Sequence, residues 1–408
     1  MASRTVRARW VMPRAGTIWR GGWVQASDGL VTDLGERAAA GTSVDLGDVI
    51  VLPGLVNAHT HLELSWLAGK VPPAVSMDGW LREMMHLRRV GPPGGDVEVL
   101  AAIDTALASA RASGTVLIGD VSNTLLSASR LHRAGMAGTL FHEILGFRPV
   151  DVHGMVHQAR ERLTAALADA APLLGAVVAH APYSTAPSLF REIARTHEGP
   201  APLAVHIAES MEEMALLRDG TGPFRALLER LEVWDEAWTP PGAAPIQFLH
   251  AQGYLSSGTL LVHGVHLTPD DLDVVRRAEC VLVTCPRSNT WVGGGVPPVA
   301  RFYASGVDVA IGTDSLASVD SLNLFDELAA LRRLAPEVEA ARLIDSATRV
   351  GAQALGWGRT FGALAPGMSS CAAVVRVPAH LGDPRDVEEY LVSGVPAEAV
   401  SLLDLAAA

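Results

Sequence analysis

The chain has 408 residues, 49% of them hydrophobic and 19% charged, enough to bury a large core and unlike a disordered or fibrous composition. A formal net charge of −12 with no basic run argues against a nucleic-acid surface and favours a small-molecule substrate. No apolar stretch approaches the ~18 residues of a membrane span, the N-terminus shows no apolar leader core, and three cysteines without a CxxC pair suit a reducing compartment, so a cytoplasmic protein is expected.

Residues 1–52 alternate short β-like runs with glycine and Asp-Gly turns, which predicts one part of a small β-sandwich and no catalytic cluster. From residue 53 the texture changes to apolar strand candidates separated by alanine- and leucine-rich helical stretches. They read "LPGLVNAHTH", "GTVLIGDVS", "GTLFHEILGF", "LGAVVAHAPYS", "PLAVHIAES", "GTLLVHGVHL", "CVLVTCPRSN" and "VDVAIGTDS". Eight such βα units predict an α/β fold, a (β/α)8 TIM barrel over residues 53–360 with functional groups at the C-terminal strand ends. The proline-rich stretch 238–247, "WTPPGAAPIQ", is expected to form part of a lid. Residues 361–408 return to short strands and are expected to complete the sandwich begun by 1–52.

The polar residues that interrupt these runs near their C-terminal ends are His59 and His61, Asp120, Glu143, His180, His206 with Glu209, His263, Cys285 and Asp314. In a strand, residues i and i+2 point to the same side, so His59 and His61 can reach one ion. Burying several imidazoles and carboxylates at one barrel mouth without a metal would cost several kcal/mol in unpaired polar groups. A catalytic metal site is therefore expected.

"PGLVNAHTHLE", "HIAES", "HGVHL" and "GTDS" followed by "SLNLFDEL" resemble the amidohydrolase superfamily, in the branch of nucleoside, cytosine and guanine deaminases and chlorohydrolase-like enzymes. The resemblance covers nearly the whole chain. It implies metal ligands His59, His61, His206 and Asp314, with His263 as a catalytic histidine that orients or deprotonates water. It makes Glu209 the acid/base carboxylate that protonates a ring nitrogen, and Asp314 belongs to the catalytic set as well as to the ligands. The implied cofactor is one divalent ion, zinc first and ferrous iron as the alternative, because these ligands suit both.

Of 32 lysines and arginines, only Lys70 is lysine. Two-metal members of the superfamily usually bridge their ions with a carboxylated lysine at the end of strand four, which this chain lacks. A mononuclear deaminase is the expected consequence. His180 matches a substrate-contacting histidine of the purine-nucleoside deaminases, and Glu63 in "HTHLELS" is a candidate for a substrate hydroxyl. That motif resembles strand one of the aminodeoxyfutalosine deaminases, whose substrates carry a benzoate, so Arg148 in "GFRP" and Arg287 in "CPRSN" are candidates to bind it. Trp80 lies in "VSMDGWLREMM", which resembles the sugar-pocket segment of adenosylhomocysteine deaminases.

The expected function is hydrolytic deamination of an adenine-type nucleoside: aminodeoxyfutalosine first, adenosylhomocysteine or methylthioadenosine next. The alternatives are a guanine, oxidised-purine or triazine hydrolase of the same branch, and a non-catalytic scaffold. A small molecule is the only partner expected, away from nucleic acid and membrane, and a homodimer is the assembly considered.

Overall fold

The computed structural model describes residues 3–407 apart from 38–41, 94, 169 and 171. All eight apolar segments form strands: β1 Leu55–Thr60, β2 Thr115–Ser122, β3 Ala137–Ile144, β4 Leu173–Ala179, β5 Ala204–Ile207, β6 Leu260–His263, β7 Val281–Thr284 and β8 Asp308–Ile311. Their near-continuous apolar runs reflect burial on both faces; β2 is buried along its whole length.

The strands pair in parallel in the orders β4-β3-β2-β1 and β5-β6-β7-β8. At one seam the His206 N–H donates to the His180 carbonyl at 2.9 Å. At the other, Thr60 and Asp314 make a parallel bridge. The result is a TIM-barrel-like domain with the C-terminal strand ends gathered at one mouth. α1 Met77–Val90 and α2 Pro223–Arg230 reach that mouth, and α3 Pro286–Trp291 and α4 Leu324–Leu334 pack against each other.

Two further sheets come from the termini. One orders Val400–Asp404, Cys371–Arg376, Val49–Pro53, Trp10–Arg14 and Thr17–Arg20, so it mixes strands from both ends of the chain. The other orders Leu30–Gly35, Trp23–Ser27, Arg4–Arg7 and Val44–Asp45. Val6, Val24, Val51 and Val374 share one apolar cluster between them.

The 238–247 stretch departs from expectation. Pro245 opens a helix, Pro245–Ala251, because its fixed φ suits the first helical position. No residue of 238–247 lines the principal cavity, whose roof comes from α1 and α2 instead. Trp238 packs at 5.4 Å from Phe147, outside the cavity. Among the described residues no helix is long and apolar enough to cross a membrane.

Candidate active site

At the end of β1, alternation puts His59 and His61 on one side, and the buried Asp120 fixes the chain between them. Its Oδ1 accepts from Leu62 N–H at 2.8 Å and from Thr60 Oγ1 at 3.0 Å. Asp120 thus shapes the His59–His61 turn rather than lining the cavity, and burial pushes its carboxyl up to about 7. Gly312 lets β8 approach β1: a Cβ there would lie 2.6 Å from His59 Cβ. Asp314 then arrives with Oδ1 3.7 Å from His59 Nε2 and 3.6 Å from His61 Nε2.

His206, on β5, completes the group, and the ligand atoms of His59, His61 and His206 all lie within 4.8 Å of one another. His206 Nδ1 donates to the His180 carbonyl at 3.0 Å and faces Glu143 Oε1 at 3.3 Å. That leaves Nε2 to meet His61 Nε2 at 3.2 Å. Two ring nitrogens this close need a shared proton or a cation between them, and His59 Nε2 is buried with no hydrogen-bond partner. One proton cannot serve three nitrogens, so the donor set fits a divalent cation held by imidazole and carboxylate.

The electrostatics of His59 and His61 agree. Burial, then the neighbouring imidazoles, holds His59 well below its ordinary value, and burial lowers His61, so both rings keep free lone pairs. Burial would also lower His206, but Glu143 outweighs it and holds the ring up at about 9. Burial would raise Glu143, yet His180 and His206 overcome it and keep the carboxylate lowered. Glu143 stands among the strand-end residues of the sequence, but its pairing with His206 was invisible there. The chain's lysine is elsewhere: Lys70 pairs with Glu98 at 3.1 Å and lies over Trp66.

Glu209 follows β5 with its carboxyl buried and Oε1 3.4 Å from His263 Nε2. Burial, reinforced by Asp314 and Glu213 against His206, pushes it up to about 8. Its backbone N–H donates to Glu213 Oε2 at 3.0 Å. Gly294 packs against it, where a Cβ would come within 2.6 Å of the Glu209 carbonyl oxygen.

A cavity of about 240 Å³ opens over this cluster. His61, His206, Glu209, His263 and Asp314 form its floor, with Glu63, Asn123, Glu143, His180 and Ser184 on one side. Trp80 lines it, as do Met77, Leu81, Met84, Met85 and Arg88. These α1 residues follow the 3-4 spacing of one helical face, a signal present in the sequence but not used there. His180 also lines it; burial takes its ring down to about 4, and Nδ1 meets Ser184 Oγ at 2.5 Å.

One candidate lines the cavity with its carboxylate engaged within the protein, and two lie away from the cavity. Glu63 lines the cavity, but its carboxylate is engaged by Ser122 Oγ at 2.8 Å, by the Asn123 and Thr124 amides at 3.1 and 3.0 Å, and by Thr124 Oγ1 at 2.5 Å. It clamps the loop after β2. Arg148 is exposed and does not line the cavity, because the turn after Phe147 carries it outward. Arg287 points away too: it binds Asp320, the Ser321 carbonyl at 3.3 Å and Glu327 Oε1 at 3.4 Å. The arginine among the cavity's lining residues is Arg88, an exposed residue, and a second cavity of about 150 Å³ adjoins through Glu63, Leu64 and Arg88. Cys285 is buried at the start of α3 and does not line this cavity.

The amidohydrolase family pattern matches residues 50–397. The aminodeoxyfutalosine deaminase of Deinococcus radiodurans is 31% identical over 332 residues, 76% of this chain and 74% of that protein. A 5-methylthioadenosine/S-adenosylhomocysteine deaminase of Nitratidesulfovibrio vulgaris is 30% identical over 389 residues, 89% and 81% of the two chains. Helicobacter pylori aminofutalosine deaminase in complex with methylthio-coformycin superposes with a TM-score of 0.81 at 21% identity, covering 96% and 97% of the chains. An adenosine deaminase from Xanthomonas campestris with bound zinc gives 0.79 at 22% identity, covering 98% and 91%. At these identities the two structures speak for the fold. The chain belongs to the amidohydrolase family, and it is a hydrolase acting on C–N bonds.

Proposed function

We propose that this hydrolase removes the amino group of an adenine-type nucleoside, with His59, His61, His206 and Asp314 holding one divalent ion, zinc first. The observation that carries this reading is Glu209: a buried carboxyl, kept protonated near neutral pH, beside His263 and above the imidazole cluster. When bound, the ion supplies a nucleophile at neutral pH by lowering the pKa of water. Glu209 delivers a proton to the ring nitrogen next to the amino-bearing carbon, which makes that carbon electrophilic. His180 and Trp80 border the base and sugar, and the α1 face excludes water from the rest of the cavity. The hydrogen bonds at the two barrel seams support a closed ring, and the shared apolar cluster of the terminal sheets supports a two-part β-sandwich outside residues 53–360.

The substrate we favour is aminodeoxyfutalosine, ahead of adenosylhomocysteine and methylthioadenosine. The α1 wall offers an apolar body a place to lie, and Arg88 lies further along the same helix face for a carboxylate. Arg88→Ala is expected to raise KM for the benzoate-bearing nucleoside by about 10-fold or more, since a hydrogen bond to a charged group is worth roughly 1.5–3 kcal/mol. Adenosine should respond little. Equal losses on both substrates would remove Arg88 from recognition. The reading as a whole is tested by loss of adenine absorbance across a panel of nucleosides and free bases. Turnover of guanine or chlorotriazines with none of the adenine nucleosides would overturn it.

A further inference from the structure

We infer that Asn289 is a positioning residue: it fixes the proton of His263 on Nε2, so that His263 acts as a hydrogen-bond donor to the reacting group and not as a base. The inference rests on the deaminase reading of the site for its kinetic test only. The geometry behind it stands alone.

Asn289 is fully buried, and its side-chain Nδ2 sits 2.9 Å from His263 Nδ1. With the amide oriented this way its N–H donates and Nδ1 offers its lone pair. The proton of the neutral ring is then on Nε2. On that side Nε2 faces Glu209 Oε1 at 3.4 Å. The Nδ1 side is thus set by the amide donor, and Nε2 is left facing the cavity.

The surroundings of Asn289 look built for this task. His263 and Asp314 have φ of 76° and 63°, the left-handed region that such residues hold only when their surroundings over-determine it. α3 supplies constraint to both. Ser288 Oγ donates to Asp314 Oδ2 at 2.5 Å while the next residue, Asn289, holds His263. Arg287 ties the helix to α4: its backbone N–H donates to Glu327 Oε2 at 3.3 Å and its guanidinium reaches Glu327 Oε1. The Asn289 carbonyl also accepts from the Gly294 and Gly295 amides at 2.9 and 3.2 Å, which holds the turn packed on Glu209.

The decisive variant is Asn289→Asp, nearly isosteric but able only to accept, so it draws the ring proton to Nδ1. Full-length protein carrying Asn289→Asp or Asn289→Ala is compared with the parent by metal content, melting temperature, kcat and KM on a nucleoside the parent turns over. Asn289→Asp is expected to keep its metal, its KM within about two-fold and its melting temperature, while kcat falls roughly 10–100-fold, the usual cost of losing a partner that orients a site histidine. Wild-type kcat in the metal-loaded Asp variant overturns the inference. So does a loss of kcat in both variants that merely tracks lost metal and lost fold. If the parent deaminates no adenine nucleoside, the function reading fails, and the inference is judged by the ring ¹⁵N shifts of His263, identified by its disappearance in His263→Gln. The parent should show the Nε2–H tautomer and Asn289→Asp the Nδ1–H tautomer; the same tautomer in both overturns it.

Discussion

Glu209→Gln is expected to leave fold and metal content intact while kcat falls by about 10²-fold or more, the size of a lost general acid–base step. The amide nearly matches the carboxyl in shape, so the Glu213 bond to the residue 209 backbone and the packing of Gly294 should survive. What disappears is the transferable proton. Burial pushes the Glu209 carboxyl up to about 8 from an ordinary 4.5, so near neutral pH it is charged with the proton it must donate. Activity should decline on the alkaline side as that proton is lost, and the Gln variant should lack this limb.

The same shift has a stability signature with a definite sign. Between pH of about 4.5 and about 8 the folded state holds this proton and the unfolded state does not, so the folded state is progressively destabilised as pH rises through that window. Melts of metal-free protein should show the slope, and Glu209→Gln should reduce it. Near-wild-type kcat in metal-loaded Glu209→Gln would exclude the acid role and point to a chlorohydrolase-like reaction, in which the leaving group departs without ring protonation by this residue.

His59→Ala and Asp314→Ala are expected to cost more: at least about 10³-fold in activity, beyond the roughly 10–100-fold typical of a group that only orients a ligand. The parent should hold one divalent ion per chain, and adding that ion to stripped protein should raise its melting temperature, because a ligand that binds only the folded state stabilises it. Stripped His59→Ala should gain little from the same addition. The expectation of one ion rests on the missing strand-four lysine, Lys70 pairing instead with Glu98 at the surface. Two stoichiometric ions per chain would refute that expectation. Ser288→Ala is a milder control, since Asp314 Oδ2 keeps Ser318 Oγ at 3.0 Å.

Much of this protein was legible in its sequence because the relevant signals are local. Apolar runs of strand length, separated by helical stretches, marked all eight barrel strands. A two-residue spacing put His59 and His61 on one side, and the position of the one lysine, Lys70, showed that the usual strand-four bridging lysine is missing. Those statements need only the period of a strand and the composition. The arginines show where such reasoning stops. Arg287, Ser288 and Asn289 are consecutive, yet a helix turns about 100° per residue, so they face three ways. One anchors to α4, one holds Asp314 and one holds His263. For the arginines, proximity to a strand end in the sequence therefore did not tell which side chain enters the cavity. Arg88 lies far from every strand end and reaches it, because α1 crosses the mouth with the Met77–Trp80–Met84 face inward. That face was readable as a period, but its target was not: which surface a helix covers is set by long-range packing, and no local pattern encodes it. The pairing of Glu143 with His206 was decided in the same way, by the meeting of β3 and β5 side chains across the barrel interior.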